Sequence, residues 1–233
     1  MSFNLKKVVP WGRSYDEYVA MFALSEKDLK KYILGCGDGP ASFNSLLTKD
    51  GGKVTSIDPI YQFGVDEIRS HIKATFPEVM EQTCQNQEEF VWNHISSPEE
   101  LGQIRMNAMQ AFLADYPTGK KEGRYLPMSL PQLPYENRQF ALALCSHLLF
   151  LYSKHLSAEF HRNSIKEMCR VADEVRLFPL LELGSIKSRH IDPVSKQLRA
   201  EGYQISIVKV DYEFQKGGNQ MMRIVGLHLD DSE

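Results

Sequence analysis

The chain has 233 residues, of which 42% are hydrophobic and 24% are charged, and its formal net charge is −3. These are the values of a folded globular protein, and they exclude an intrinsically disordered chain. The length suits one buried core and is short for two ordinary domains, so we expect a single domain over residues 1–233. The weak negative charge gives no general attraction for phosphate backbones, so no nucleic-acid partner is predicted.

The cysteines and the apolar segments bear on the cellular compartment. The four cysteines are far apart and form no Cys-x-x-Cys pair, which fits a reducing cytoplasm. The first ten residues lack the apolar segment of a signal peptide, and the longest apolar stretch, 140–152, is too short to span a bilayer. We therefore expect a cytoplasmic protein with no membrane partner.

Residues 1–30 are predicted to form a helical extension ahead of the core. Ser14 and Glu17 have the spacing of a capping box, which begins a short helix. Trp11, Arg13 and Tyr15 lie at the entrance of this helix. These side chains either close over a ligand of the core or pack the extension against it.

A strand, a glycine turn and a helix follow. The β-like run 32–34 leads into Gly35-Cys36-Gly37-Asp38-Gly39-Pro40, and helical spacing resumes over 42–47. A second strand, 53–57, ends at Asp58-Pro59. The Asp58 carboxylate is therefore expected at the carboxyl edge of the sheet.

Residues 60–122 have a helical pattern throughout and are predicted to be an insertion. The sequence Ser97-Pro98-Glu99-Glu100 combines an N-cap, a proline at the first helical position and a second capping box. The stretch is much longer than a usual crossover helix, so we expect a lid that covers one edge of a site and determines substrate specificity.

The remaining elements alternate strand and helix and end in a hairpin. The predicted strands cover 124–126, 140–145, 174–178, 204–212 and 220–227, and the predicted helices cover 158–172 and a segment from Asp192-Pro193 to Gly202. Because a connection containing Gly217-Gly218-Asn219 joins the last two strands, they should pair antiparallel. The fold class is therefore a doubly wound α/β protein: a seven-stranded, mostly parallel sheet with an antiparallel last strand and helices on both faces.

The glycines and Asp58 together indicate a nucleoside-containing ligand. Glycine lets the backbone turn tightly and approach a ligand closely, and an acidic residue about twenty positions later can accept hydrogen bonds from ribose hydroxyls. A dinucleotide fingerprint, however, requires a third small residue where this chain has Pro40, and Asp38 would repel a pyrophosphate. Asp38 would instead attract the ammonium group of S-adenosylmethionine, so this cofactor is favoured over NAD.

With these motifs the chain resembles the class I S-adenosylmethionine-dependent methyltransferase superfamily. The resemblance extends from Tyr32 to Leu227, with residues 33–39 as its first motif and Asp58 as its second. The reversed last strand is characteristic of that superfamily. The resemblance implies S-adenosylmethionine as the cofactor and methyl transfer as the reaction, and the acidic composition favours a small-molecule acceptor.

The chain departs from the family pattern at two places. In the stretch that borders the adenine in the family, Ser129 stands at the usual acidic position, which leaves the backbone amide of Leu130 as a donor. Ala141 follows Phe140 where the family has an aspartate. Because of these departures, a second hypothesis is a non-catalytic protein that binds the cofactor or acts as a scaffold. A nicotinamide oxidoreductase is disfavoured, and an aminopropyl transferase lacks its acidic motif after the fourth strand.

The predicted site residues fall into three groups. Those assigned to the cofactor are Arg13, Gly35, Cys36, Gly37, Asp38, Gly39, Asp58, Pro59, Ser129, Leu130 and Ser146. His147, after the fourth strand, is either a general base for the acceptor or a histidine hydrogen-bonded beneath the next helix. Tyr61, Tyr152 and Glu182 follow the ends of strands and are candidates for the acceptor site. No metal is predicted, because the histidines form no sequence-local constellation.

Overall fold

A computed structural model describes Phe3, Leu5 and residues 9–226. The strands of this part of the chain are β1 (Tyr32–Cys36), β2 (Lys53–Ile57), β3 (Tyr125–Leu126), β4 (Leu142–Ser146), β5 (Glu174–Phe178), β6 (Leu181–Glu182), β7 (Ile186–Lys187), β8 (Gln204–Lys209) and β9 (Gln220–Val225). Its α-helices are α1 (Tyr15–Met21), α2 (Glu26–Leu29), α3 (Phe43–Lys49), α4 (Val65–Gln85), α5 (Pro98–Lys121), α6 (Ala158–Val171) and α7 (Ile191–Ala200).

A seven-stranded sheet with the order β3-β2-β1-β4-β5-β9-β8 forms the centre of the fold. The pairs among β3, β2, β1, β4 and β5 are parallel, whereas β9 runs antiparallel to both β5 and β8. The predicted fold class is therefore confirmed, including the reversed last strand and the antiparallel hairpin. Because β1 lies between β2 and β4, the strand order reverses there, and the carboxyl ends of these strands border a crevice.

Alternating side chains of the sheet face two separate apolar clusters. Leu34 and Ala143 pack with residues of α6 and α7 on one face. Ile33, Leu142 and Leu144 pack with residues of α1 and α3 on the other. Since successive residues of a strand point to opposite faces, the apolar runs of β1 and β4 fit strands that are buried on both sides.

The insertion differs from a continuous helix. It forms the two helices α4 and α5, and between them Phe90 makes an isolated bridge with Gln215 of the segment between β8 and β9. Ser97 caps α5 as predicted, since its side chain accepts a hydrogen bond from the Glu100 backbone. The predicted capping box is incomplete, because the Glu100 carboxylate accepts from the Ser96 backbone instead. The helices contact each other near Gly102, where a Cβ atom would lie 3.3 Å from Phe76 and Met80.

Several element ends also differ from the sequence prediction. The fourth strand begins at Leu142, because Phe140 makes only an isolated bridge with Ala172. The eighth strand ends at Lys209, and position 227 of the predicted last strand lies outside the described residues. The short hairpin of β6 and β7 was not predicted, since each strand has only two residues.

Within the described residues, no helix is both long enough and apolar enough to cross a membrane.

Candidate functional site

The glycine turn after β1 requires glycine for steric reasons. A Cβ atom on Gly35 would lie 1.7 Å from Asp38 Oδ2, so a glycine there leaves room for that carboxylate to fold back against the strand. Gly37 has φ +69° and lies against Leu148, whose Cδ2 would be 2.5 Å from a Cβ atom. Gly39 also has a positive φ, +54°. The turn therefore places its backbone and the Asp38 carboxylate close together at the carboxyl edge of the sheet.

Asp38 is buried at this turn, with 8% of its surface exposed. Its carboxylate accepts hydrogen bonds from the Tyr18 hydroxyl at 2.9 Å and from the Ser56 hydroxyl at 2.6 Å. Burial raises the pKa of Asp38 to about 7, and the nearby Asp58 carboxylate contributes in the same direction. A ligand cation beside Asp38 would favour its ionised form.

Asp58 begins a 3-10 turn, Pro59–Gln62, directly after β2. Its Oδ1 accepts a hydrogen bond from the Ile60 backbone at 2.9 Å, and its Oδ2 accepts one from the Gly39 backbone at 3.0 Å. Burial raises the pKa of this carboxyl. Each oxygen retains a second lone pair that can accept a hydrogen bond from a ligand hydroxyl.

These groups open into a cavity of about 580 Å³. We call its polar part, formed by Gly37, Asp38, Gly39, Asp58 and Leu130, the turn end. A second group of lining residues, which we call the far chamber, consists of Phe3, Leu5, Val79, Thr83, Phe90, Leu101, Leu151, Leu183 and Phe214. With the exception of Thr83, the chamber residues belong to one apolar cluster.

Most of the predicted cofactor residues line this cavity. They are Arg13, Gly37, Asp38, Gly39, Asp58, Pro59, Ser129, Leu130 and Ser146. Gly35 and Cys36 are absent from the described lining; they belong to β1, and Cys36 is fully buried.

The three predicted acceptor residues are placed differently from one another. Tyr152 lines the cavity. Tyr61 is fully buried and donates a hydrogen bond to the Gly39 carbonyl at 2.7 Å, so it supports the glycine turn from behind. Glu182 is also buried and accepts a hydrogen bond from Arg189 Nε at 2.8 Å. Neither Tyr61 nor Glu182 is among the described residues that line the cavity, and the geometry favours structural roles for both.

Arg13 brings a positive charge to the cavity wall. Its Nη1 donates to the Trp11 carbonyl at 3.2 Å, whereas its buried Nε has no hydrogen-bond acceptor among the described residues. Burial lowers the pKa of Arg13 to about 10, and repulsion from Arg105 contributes, yet the group stays charged near neutral pH. A buried donor without an acceptor is unfavourable, so this wall suits an anionic ligand group such as a carboxylate.

Arg105 was not predicted from the sequence and forms a buried ion pair next to Arg13. Its fully buried side chain donates through Nη1 to Glu17 Oε2, and Tyr212 donates to Glu17 Oε1 at 2.7 Å. Burial alone would raise the pKa of Glu17, but Arg105 and Arg13 lower it to about 2. The only sequence signal is that Arg105 follows Leu101 by four positions and so falls on the apolar face of α5.

His147 lies on the cavity wall directly after β4. Its Nδ1 is 2.8 Å from Ser146 Oγ. Burial lowers the pKa of His147 well below its usual value, and Arg13 and Arg105 add to the effect, so the ring is neutral near pH 7. When Nδ1 donates to Ser146, Nε2 keeps a lone pair that can accept a proton.

The segment that follows His147 is held in place by His161. The Phe150 backbone amide donates to His161 Nε2 at 2.9 Å, and His161 Nδ1 lies 2.8 Å from the Ser157 carbonyl. This pattern assigns the proton of the neutral ring to Nδ1. Because Phe150 has a positive φ, 48°, the hydrogen bond fixes an unusual turn that brings Leu151 and Tyr152 to the cavity.

No protein-family model matches the chain. It is 35% identical over 223 residues to the uncharacterized protein MJ0045 of Methanocaldococcus jannaschii, and the alignment covers 95% of this chain and 97% of the relative. The chain therefore belongs to the same family as that archaeal protein.

The solved structures that resemble the chain are much more distant. Magnesium protoporphyrin IX methyltransferase of Synechocystis PCC 6803, solved with bound SAM, is 15% identical, with 91% of this chain and 78% of that chain covered and a TM-score of 0.46. The PH0226 protein of Pyrococcus horikoshii is 10% identical, with 85% and 82% covered and a TM-score of 0.44. These likenesses are too remote to support an inference about this chain, so the strand order itself defines the fold.

Proposed function

We propose that this protein is an S-adenosylmethionine-dependent methyltransferase that acts on a small molecule. The proposal depends on one observation. The glycine turn after β1 and the Asp58 carboxylate after β2 meet at the carboxyl edge of the sheet and open into one cavity. In open α/β sheets this crevice is where ligands bind, and a carboxylate there can accept hydrogen bonds from ribose hydroxyls.

The residues at the turn end fit the groups of this cofactor. Asp58 offers free lone pairs to the ribose, and the Leu130 amide borders the adenine in this assignment. The unpaired Nε of Arg13 would donate to the methionine carboxylate. The buried Asp38 carboxyl would pair with the ammonium group, and this contact would offset the cost of ionising Asp38.

When bound, S-adenosylmethionine supplies a methyl group on a positively charged sulfur that is already a good leaving group. Catalysis by the protein then consists mainly of positioning the acceptor and excluding water. His147 is neutral and lies on the cavity wall. While Ser146 holds Nδ1, Nε2 can accept a hydrogen bond from an acceptor O–H or N–H group and orient it; the lowered pKa makes His147 a weak base, so this positioning role is the one that the geometry supports.

The proposal is tested by calorimetric titration of the purified protein with S-adenosylmethionine, S-adenosylhomocysteine and NAD. We expect both sulfur compounds to bind and NAD to bind much more weakly. Asp58→Asn should weaken the binding of S-adenosylhomocysteine by about 10- to 150-fold, because hydrogen bonds to a charged group contribute about 1.5–3 kcal/mol. The matched control is Asp66→Asn, which removes an exposed carboxylate on α4 and should leave the affinity unchanged.

The outcomes separate the alternatives. Binding of NAD in preference to both sulfur compounds would support an oxidoreductase and overturn the proposal. Binding of the sulfur compounds without methyl transfer to any member of a broad acceptor panel would favour a non-catalytic cofactor-binding protein.

A further inference from the structure

The far chamber has a composition that differs from the turn end of the same cavity. Its walls come from the N-terminal segment, from both insertion helices and the segment between them, and from the segments that contain Leu151, Leu183 and Phe214. Phe90 and Phe214 stack at a centroid distance of 4.7 Å. Trp92 is not among the described lining residues but packs against the same cluster and meets both rings nearly edge-on, at 5.9 Å and 5.4 Å. An aromatic wall of this kind favours contact with a planar ring.

Charged groups lie elsewhere in the cavity. Among the described lining residues the carboxylates are Asp38 and Asp58, both at the turn end, and the permanently charged cation is Arg13. His147 is neutral near pH 7. The residues that define the chamber therefore include neither a carboxylate for an ammonium group nor a cation for an acid. The nearby Glu89 carboxylate, whose Oε1 accepts a hydrogen bond from the Phe3 backbone, is not among the described lining residues.

Thr83 is the polar side chain among the residues that define the chamber, and Gln215, next to Phe214, also lines the cavity. The Thr83 hydroxyl is buried and donates to the Val79 carbonyl within α4 at 2.8 Å, so its proton is not available to a ligand. Moving an isolated charge from water into such a wall is costly, whereas an apolar ring gains free energy from leaving water.

From this separation we infer that the far chamber binds the methyl acceptor and that the acceptor is an uncharged, largely apolar molecule with an aromatic ring. The inference rests on the proposed function, since it assigns the turn end to the cofactor. It narrows the acceptor to a chemical class and disfavours protonated amines and free acids.

The test uses the neutral fluorescent probe N-phenyl-1-naphthylamine, whose emission rises in apolar sites. The probe is titrated into the protein with and without saturating S-adenosylhomocysteine. It is then displaced by three molecules with the same ring system: 2-naphthol, 2-naphthoate and 2-naphthylmethylammonium. We expect the probe to bind in both conditions, and we expect 2-naphthol to displace it at a concentration at least tenfold lower than either ion requires.

A variant pair tests the origin of this preference. Thr83→Asp introduces a carboxylate into the chamber wall and should shift the preference toward the cationic naphthalene by at least tenfold relative to 2-naphthol. Thr83→Val keeps the shape without a charge and should retain the preference of the natural protein. If Thr83→Asp does not fold, the displacement series on the natural protein still decides the inference.

The outcomes distinguish the two proposals. If S-adenosylhomocysteine binds but the probe does not, or if the ions displace the probe as well as 2-naphthol does, this inference is wrong and the proposed function stands. Displacement of the probe by S-adenosylhomocysteine would also overturn it, because the two sites would then coincide. If S-adenosylhomocysteine fails to bind, the proposed function fails, and the assignment of an acceptor fails with it.

Discussion

The turn end and the far chamber are built in different ways, although they belong to one cavity. The turn end is assembled from short segments at the carboxyl ends of β1 and β2, and backbone hydrogen bonds join these segments directly, as between Gly39 and Asp58. The far chamber is assembled from segments distant in sequence, such as those containing Leu5, Leu101 and Phe214, which pack into one apolar cluster. Isolated backbone hydrogen bonds outside the sheet also join some of them, as from Val91 to Phe214 at 2.7 Å. The sheet therefore fixes the first region, whereas tertiary contacts must hold the second.

The buried pair of Arg105 and Glu17 is one of those tertiary contacts. It joins α5 of the insertion to α1 of the N-terminal extension, and Tyr212 connects the same Glu17 to the segment after β8. All three of these segments contribute to the cavity wall. The pair thus holds the far chamber together without lying in the described cavity lining.

The largest effect is expected from Arg105→Met. It leaves Glu17 buried without its main partner, and breaking a buried pair in this way costs about 3–5 kcal/mol of unfolding free energy. Urea unfolding measures this loss. The control Arg69→Met breaks an exposed pair with Asp66 on α4 and should cost at most about 1 kcal/mol. In the double variant Glu17→Gln/Arg105→Met no uncompensated carboxylate remains, so it should be more stable than Arg105→Met; equal or lower stability would contradict this explanation.

The same pair predicts a dependence on acid. The pKa of Glu17 is lowered from about 4.5 to about 2, so the unfolded chain binds a proton more readily than the folded one in this range. The resulting stability is fully present above pH 4.5 and is lost as the pH falls towards 2. Urea unfolding between pH 5 and pH 3 measures how the unfolding free energy changes with pH. In the natural protein this free energy should fall as Glu17 is protonated, and the Glu17→Gln/Arg105→Met variant should lack this part of the fall.

The sequence predicts the two regions to different extents, for the same physical reason. Gly35, Gly37, Gly39 and Asp58 lie on local patterns of strand, turn and strand, so their meeting point could be predicted without tertiary information. The chamber has no local signature, because apolar residues such as Val79 and Phe214 follow the same periodicity whether they face a core or a cavity.

The positions of Tyr61, Glu182 and Arg105 show the same limit of the residue pattern. Tyr61 and Glu182 follow the carboxyl ends of strands, where ligands often bind, but their side chains turn to the Gly39 carbonyl and to Arg189. The direction of a side chain after a strand depends on the loop conformation, which the residue pattern does not determine. Arg105 was missed because a single charged residue on the apolar face of a helix does not reveal its partner.

A smaller effect, confined to the turn end, is expected from Gly35→Ala. The added Cβ atom must displace the Asp38 carboxylate, which loses its hydrogen bonds to Tyr18 and Ser56. We expect a loss of about 2–3 kcal/mol in unfolding free energy and a clear loss of S-adenosylhomocysteine affinity. In the control Gly226→Ala the added Cβ atom lies 3.4 Å from the Cys169 carbonyl oxygen, so the unfolding free energy and the cofactor affinity should change little. Unaltered cofactor affinity in a folded Gly35→Ala protein would show that the Asp38 position is irrelevant to binding.

The smallest effect concerns the pH dependence of cofactor binding. The pKa of Asp38 is raised from 3.8 to about 7, so the folded protein takes up a proton more readily than the unfolded chain, and this carboxyl lowers stability as the pH rises through that window. If the bound ammonium group requires the ionised carboxylate, binding must release the Asp38 proton below pH 7. The affinity for S-adenosylhomocysteine should then be about tenfold lower at pH 6 than at pH 8, which corresponds to about 1.4 kcal/mol.

Calorimetry at pH 6 in two buffers with different ionisation enthalpies would reveal the released proton as a difference in apparent binding enthalpy. Asp38→Asn should abolish this difference and flatten the pH profile, while its affinity at pH 8 falls below that of the natural protein. Probe binding in the far chamber should be independent of pH over the same range, because Asp38 belongs to the other end of the cavity. If the affinity of the natural protein for S-adenosylhomocysteine does not change with pH, the ammonium group is bound elsewhere. If the affinity for the probe changes with pH in parallel, the two ends of the cavity are electrostatically coupled.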